Sequence, residues 1–249
     1  MFSKQFSISE GIPVRYTRHD LKQDKFAASA AEAVNEVVEH RSGIVKIVSA
    51  LVVLAVLAGG IFWYMSSREE LATSALGKAL VIYSAPVVPQ GTPNDANVTL
   101  FHTDQERLIA SKNAFYAISD QYGWTHSGQY SRYLAGVTET DLGNYKVAED
   151  QLRALTNTRH KELASLAKYA LSALYREEKR DPDAINLLQT LIEKPTVTVP
   201  KASAQIALAD IYVNENQQDK AKVLYDQIAK DNPKNEVGQI AKAHLQELK

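Results

Sequence analysis

Eighteen consecutive residues, Ile47 to Tyr64, read IVSALVVLAVLAGGIFWY and carry no charge; before the closing Trp63-Tyr64 pair the only clearly polar side chain is that of Ser49. At ~1.5 Å of helical rise per residue the run covers roughly 27 Å, and Ile44, Val45 and a snorkelling Lys46 extend it to the roughly 30 Å of a hydrocarbon core. A buried helix of a soluble core seldom stays wholly apolar beyond about fourteen residues, so the run predicts a transmembrane helix over 44–65, with Trp63 and Tyr64 in an interfacial aromatic belt. It starts far from Met1 and ends in Phe62-Trp63-Tyr64-Met65 without a small-x-small cleavage site, which predicts a retained anchor rather than a cleaved signal. Leu57-Ala58-Gly59 resembles the opening of a lipoprotein cleavage box, but Gly60 follows and the chain has no cysteine to acylate.

The span divides the 249 residues into a short tail and a body of 184, Ser66 to Lys249. Only the body is long enough to bury a core alone. Charge is nearly balanced, 28 basic residues against 29 acidic, which argues against nucleic acid as the main partner. The absence of cysteine excludes disulfides, iron-sulfur clusters, thiolate zinc sites and a cysteine nucleophile. Close to the span Arg41 and Lys46 balance Arg68 and Lys78, but the whole short tail, through Lys46, holds seven basic residues. By the positive-inside rule the N-terminus is expected in the cytoplasm and the body outside it.

Residues 1–43 form the expected tail. Met1 to His19 show no sustained period. Asp20 with Gln23 resembles a capping box, and Phe26, Ala30, Val34 and Val37 share a face until Ser42-Gly43, predicting an amphipathic helix over 20–42. Within the span, Ala55 and Gly59 make a small-xxx-small pair, a common feature of apolar segments that lets helices approach. Residues 66–127 read as a degenerate helical repeat: Leu71, Ala75, Ala79 and Tyr83 keep a helical period, a Pro-rich polar linker spans 85–102, and a second helix from about Asp104 to Tyr122 presents Leu108, Phe115, Ile118 and Tyr122.

From Gly128 one phrase recurs three times, at offsets of 36 and 37 residues, aligned on Ala148, Ala184 and Ala221. Twelve residues before each alanine stands another small residue, Gly136, Ser172 or Ala209; four and seven after it come Leu152 and Leu155, Leu188 and Leu191, Tyr225 and Ile228. Small residues at each crossing let two helix axes approach closely, and the large ones fill the space between neighbouring pairs. Residues 128–249 are therefore expected to be three antiparallel helix pairs, their small residues facing each other, plus a C-terminal capping helix with Val237, Ile240 and His244 or Leu245 on its face. Gly143-Asn144 and Asn214-Glu215-Asn216 supply turns, Asp181-Pro182 an N-cap and first-turn proline, Pro233 a stop, and the insertion Lys194 to Pro200 is expected to loosen the second junction.

This pattern resembles the tetratricopeptide repeat (TPR). Tyr175 and Tyr212 match its aromatic position and Glu139 does not; Lys179 stands where its turn glycine is usual. The expected fold class is all-α: one N-terminal transmembrane helix followed by a TPR-like α-solenoid of stacked antiparallel helix pairs. The layout of tail, single span and divergent repeats also resembles the YfgM-like ancillary subunit family of the bacterial Sec translocon, which implies a periplasmic repeat domain near SecYEG, associated with chaperones. The longer tail departs from that family.

No HExxH, phosphate-cradling glycine loop, GxSxG elbow or motif-placed carboxylate pair is present, and the six histidines are scattered, so no catalytic, cofactor-binding or metal site is nominated. If the frame holds, its resemblance to inward-facing repeat positions puts Tyr133, Tyr169 and Ile206 on a concave face, with Tyr130, Arg176, Asp210 and Asn214 nearby, either as a partner-binding surface or as ordinary inter-repeat packing. The expected protein is a bacterial inner-membrane scaffold or adaptor whose partners are other proteins, or peptide segments of them, and membrane lipid, with no cofactor and no nucleic acid. A cytoplasm-facing scaffold and an anchored hydrolase are the alternatives.

Overall fold

In the computed structural model, which describes residues 41–91 and 99–248 together with Ser29, the apolar run lies within a helix, α1, Arg41–Tyr83. The chain divides into two units, residues 1–63 and 64–249. In the first, the large apolar side chains from Val45 to Phe62 are exposed. The Ser49 hydroxyl donates to the carbonyls of Val45 (2.7 Å) and Lys46 (3.0 Å), so the run's one polar side chain is satisfied inside its own helix, as a lipid-facing segment requires. α1 is the one helix among the described residues that is long and apolar enough to cross a membrane. Ser42-Gly43, expected to end a helix, lies inside α1: a single glycine lowers helix stability by only about 1 kcal/mol, less than the rest of a long helix returns. The expected tail-helix face, Phe26 to Val37, lies outside the described residues.

The second unit is helical, with no strand among the described residues: α2 (Asp104–Tyr122), α3 (His126–Asp141), α4 (Tyr145–Leu155), α5 (Lys161–Glu177), α6 (Asp181–Glu193), α7 (Lys201–Asn214), α8 (Gln218–Asp231) and α9 (Glu236–Glu247). From α2 onward each helix packs on the next, and α3 also touches α5. The C-terminal half of α1 belongs to this unit. Its buried face is Ala72, Leu76 and Ala79 with Ala75 and Tyr83 beside them; Leu71, expected there, is exposed. These pack with Phe115, Ile118 and Tyr122 of α2 and Ala135 of α3. Glu69 of α1 accepts from the backbone N–H groups of His126 (2.7 Å) and Ser127 (3.0 Å) and from the Ser127 hydroxyl (2.7 Å), covering open donors in the first turn of α3 with a carboxylate.

The linker expected over 85–102 is pinned at both ends: Val88 N–H donates to the Phe101 carbonyl (2.8 Å), Phe101 N–H donates to that of Pro86 (3.0 Å), and Ala85 is buried. The insertion after α6 is likewise held rather than loose. Val199 is buried in the central core, and Thr198 donates through its backbone N–H (3.1 Å) and hydroxyl (2.9 Å) to the Glu162 carboxylate, whose pKa those bonds lower. One buried valine and one accepting carboxylate offset the entropy that a polar insertion would otherwise keep.

The repeat period is written most clearly in the turns. Gly143, Lys179 and Asn216 stand 36 and 37 residues apart, and all three have positive φ, +76°, +58° and +59°. The following N–H in each case reaches back five residues: Asn144 to the Glu139 carbonyl (2.9 Å), Arg180 to Tyr175 (2.8 Å) and Gln217 to Tyr212 (2.7 Å). This is a Schellman closure repeated three times, and it ends α3, α5 and α7 alike. Lysine adopts the left-handed region at a cost of roughly 1–2 kcal/mol that glycine avoids. Lys179→Gly is therefore expected to raise unfolding stability by about 1 kcal/mol, net of glycine's greater chain entropy, as read from denaturant midpoints in detergent.

All six crossing residues, Gly136, Ala148, Ser172, Ala184, Ala209 and Ala221, are buried, as are the six large residues that follow the alanines. Gly136 faces Leu152, one turn beyond Ala148, and Gln151: a Cβ there would lie 2.9 Å from Leu152 Cγ. The glycine makes the hole into which the leucine one turn further on inserts. The N-terminal cap of α6 is Arg180, without a side-chain capping bond, and Asp181 is its first helical residue. On α9 the packed residues are Val237, Gly238, Ala241 and Leu245; Ile240 is exposed.

An ionic network joins the first two pairs. Glu149 of α4, buried, accepts from the Tyr175 hydroxyl (3.0 Å), from Arg180 Nη1 (3.0 Å) and from Arg153. Arg180 also lies 4.0 Å over the Tyr175 ring. Burial raises the Glu149 pKa, but the hydrogen bonds from Arg180 and Tyr175 and the charges of both arginines together hold it below the usual carboxylate range. Arg180 keeps 36% of its side-chain surface exposed, so Glu149→Ala is expected to cost about 2 kcal/mol at neutral pH rather than the full penalty of a buried pair. A depressed carboxylate stabilises the fold above its unfolded pKa, and that contribution is lost as pH falls through the folded value. The stability gap between wild type and variant should therefore close below about pH 4, which denaturant titrations across pH will check.

Candidate functional site

The seven candidate residues fall into two groups. Tyr130 and Tyr133, one turn apart on α3, have ring centroids 5.6 Å apart and pack on Leu155, Leu163 and Ala167. Burial, reinforced by the neighbouring Tyr130 and Tyr83 hydroxyls, pushes the Tyr133 phenol up to about 12. This pair therefore works at least partly as inter-helix packing. Ile206 packs into the end cluster around Tyr225, Ile228 and Ala241.

Arg176, Asp210 and Asn214 do come together. With Val213, Tyr225, His244, Glu247 and Leu248 they line a cleft of about 290 Å³ built from α5, α7, α8 and α9. Its floor is fixed by three interactions. The Tyr225 hydroxyl donates to Asp210 Oδ1 (2.8 Å), the His244 ring stacks on Tyr225 with centroids 4.9 Å apart, and His244 Nδ1 lies 3.3 Å from Glu247 Oε2. Burial, then the hydrogen bond and the negative charge of Asp210, push the Tyr225 phenol well above its usual range, so Tyr225 keeps its proton and donates it to Asp210. Tyr169, beside the cleft, is also raised, by burial and then by Asp210, with Arg176 opposing. The Arg176 guanidinium forms no ion pair or hydrogen bond among the described residues.

Chemically the cleft offers one free guanidinium, one exposed amide on Asn214 and an aromatic floor whose polar edges are already matched. Such a set can bind through charge, hydrogen bonding and stacking. Among the described residues no cluster of three His, Asp or Glu is placed to hold a metal ion. The repeat frame missed Tyr225 and His244 as lining residues, although one signal was available: Tyr225 is the aromatic in a series otherwise Leu152 and Leu188, so it reaches further than its counterparts. No protein-family model, no curated protein and no solved structure matches the chain.

Proposed function

We propose that the chain is a single-pass protein of the bacterial inner membrane, anchored by residues 44–65 with its N-terminus cytoplasmic. Its exported body is a TPR-like α-solenoid acting, without catalysis, as a scaffold or adaptor for other proteins. The observation that carries this reading is the cleft in which Arg176, Asp210 and Asn214, from the first helices of successive pairs, converge, with Arg176 unpaired among the described residues. The thrice-repeated turn supports the solenoid arrangement. The layout's resemblance to translocon-associated repeat proteins supports an envelope role beside the Sec machinery or periplasmic chaperones.

The occupant best suited to the cleft is an extended polypeptide segment. Asn214 can exchange two hydrogen bonds with a backbone amide, Arg176 can take a carboxylate in a bidentate pair, and the Tyr225–His244 stack gives rigid contact area at small entropic cost. A photo-crosslinking side chain at Asn214 is expected to give discrete protein adducts in intact cells that Arg176→Glu abolishes. Adducts indifferent to Arg176→Glu, or none at Asn214, would remove the cleft from the proposal.

A further inference from the structure

Trp124 stands in the turn between α2 and α3 with 47% of its surface exposed, and no hydrogen bond holds its indole N–H among the described residues. Its ring is stacked on that of Tyr64, 6.2 Å away at 13°. Tyr64 is itself 55% exposed and closes the uncharged run. The contact follows from how the second unit is built. From Tyr64 to Tyr83, α1 rises ~28 Å, and the nineteen residues of α2 span about the same length. Near the start of α2, Arg107 donates to the Tyr83 carbonyl; near its end, Arg68 Nη2 donates to the Gln121 carbonyl (3.2 Å) and the Arg68 guanidinium lies 4.6 Å over the Tyr122 ring. α2 therefore runs back along α1, and its final turn returns to the level of Tyr64. Glu69, holding the first turn of α3, fixes that return.

A half-exposed tryptophan with a free N–H, stacked on the tyrosine that ends an apolar run, has the composition of an interfacial aromatic belt: an apolar ring for the acyl boundary and a donor for the headgroups. We infer that Trp124 is a second interfacial anchor, outside the span, that seats the α2–α3 turn in the headgroup zone of the bilayer. The partner of this surface is lipid. The inference rests on the membrane reading of residues 44–65, and its test separates the two.

The chain has two tryptophans, Trp63 and Trp124. Full-length Trp63→Phe, reconstituted into phosphatidylcholine–phosphatidylglycerol vesicles, leaves Trp124 as the fluorophore. Trp124 emission is expected to be quenched at least about twofold more by nitroxide-labelled lipid carrying its label near the headgroup than by lipid labelled deep in the acyl chain, and to be shielded from aqueous acrylamide. Free quenching by acrylamide with no response to labelled lipid would overturn the inference. Full-length Trp124→Phe reports Trp63 in the same vesicles. If Trp63 responds to labelled lipid and Trp124 does not, the anchor at Trp124 falls and the span stands; if neither responds, the span itself falls and takes the anchor with it.

Discussion

Phe115→Ala is expected to lower unfolding stability by about 4 kcal/mol, the largest single loss we anticipate. Phe115 is 0% exposed and sits where α1, α2 and α3 meet, among Ala72, Leu76, Ala79, Ile118, Tyr122 and Ala135. Its ring tilts against Tyr83 with centroids 5.9 Å apart, adding an aromatic contact worth about 1 kcal/mol beyond area burial. Four of the surrounding positions counted with Ala75 are alanines, which have no rotamer by which to refill the space, so the cavity should persist. Ile109→Ala, on the same helix but 41% exposed, should cost less than about 1 kcal/mol. Denaturant unfolding of the full chain in detergent provides both values. A small loss at Phe115 would mean that the C-terminal half of α1 is not part of the body's core.

Gly128→Ala should follow at about 3 kcal/mol, for a steric reason. Gly128 is the third residue of α3, and its N–H donates to the Thr125 hydroxyl oxygen (3.0 Å) that caps the helix. A Cβ there would overlap the Tyr122 carbonyl oxygen. That oxygen cannot give way cheaply, because it already accepts from Thr125 N–H (2.8 Å) and from the Thr125 hydroxyl (2.7 Å). Relief of the clash would therefore break the cap, the turn or both. Gly238 repeats the arrangement on α9, with Asn235 as cap and the Asn232 carbonyl in the way. Gly77 supplies the contrast: it is helical and exposed with nothing near its missing Cβ, so Gly77→Ala should stabilise by roughly 0.5–1 kcal/mol. Opposite signs from the same substitution would show that packing, not helix propensity, decides at Gly128.

Much of this architecture is legible in the chain because the helix crossings tolerate few residue types. Small residues recurring as Gly136, Ser172 and Ala209 and as Ala148, Ala184 and Ala221 anticipated six helices and their turns, and all six are buried. Local chemistry was legible where it acts within a few residues, as at Gly143 and Asn216. It was not where a distant partner decides. Nothing near Thr198 announces that Glu162 will hold it, and nothing near Glu139 that Tyr116 (3.1 Å) will donate to a carboxylate at a position aromatic in the other two pairs. Ser42-Gly43 misled because a local stop signal was weaker than the helix around it. The site was half legible for the same reason. Arg176, Asp210 and Asn214 share a repeat-defined side and converge, whereas Tyr225, His244 and Glu247 enter from helices assigned to core and cap.

The central proposal is that the apolar helix crosses a membrane and that the helical body works on its outer side. The native chain has no cysteine, so one introduced at Val197, 89% exposed, would be the single thiol available to a membrane-impermeant maleimide. In intact spheroplasts Val197→Cys should label fully before lysis, on protein that alkaline carbonate fails to extract. Labelling that appears only after the membrane is permeabilised would put the body in the cytoplasm and contradict the account.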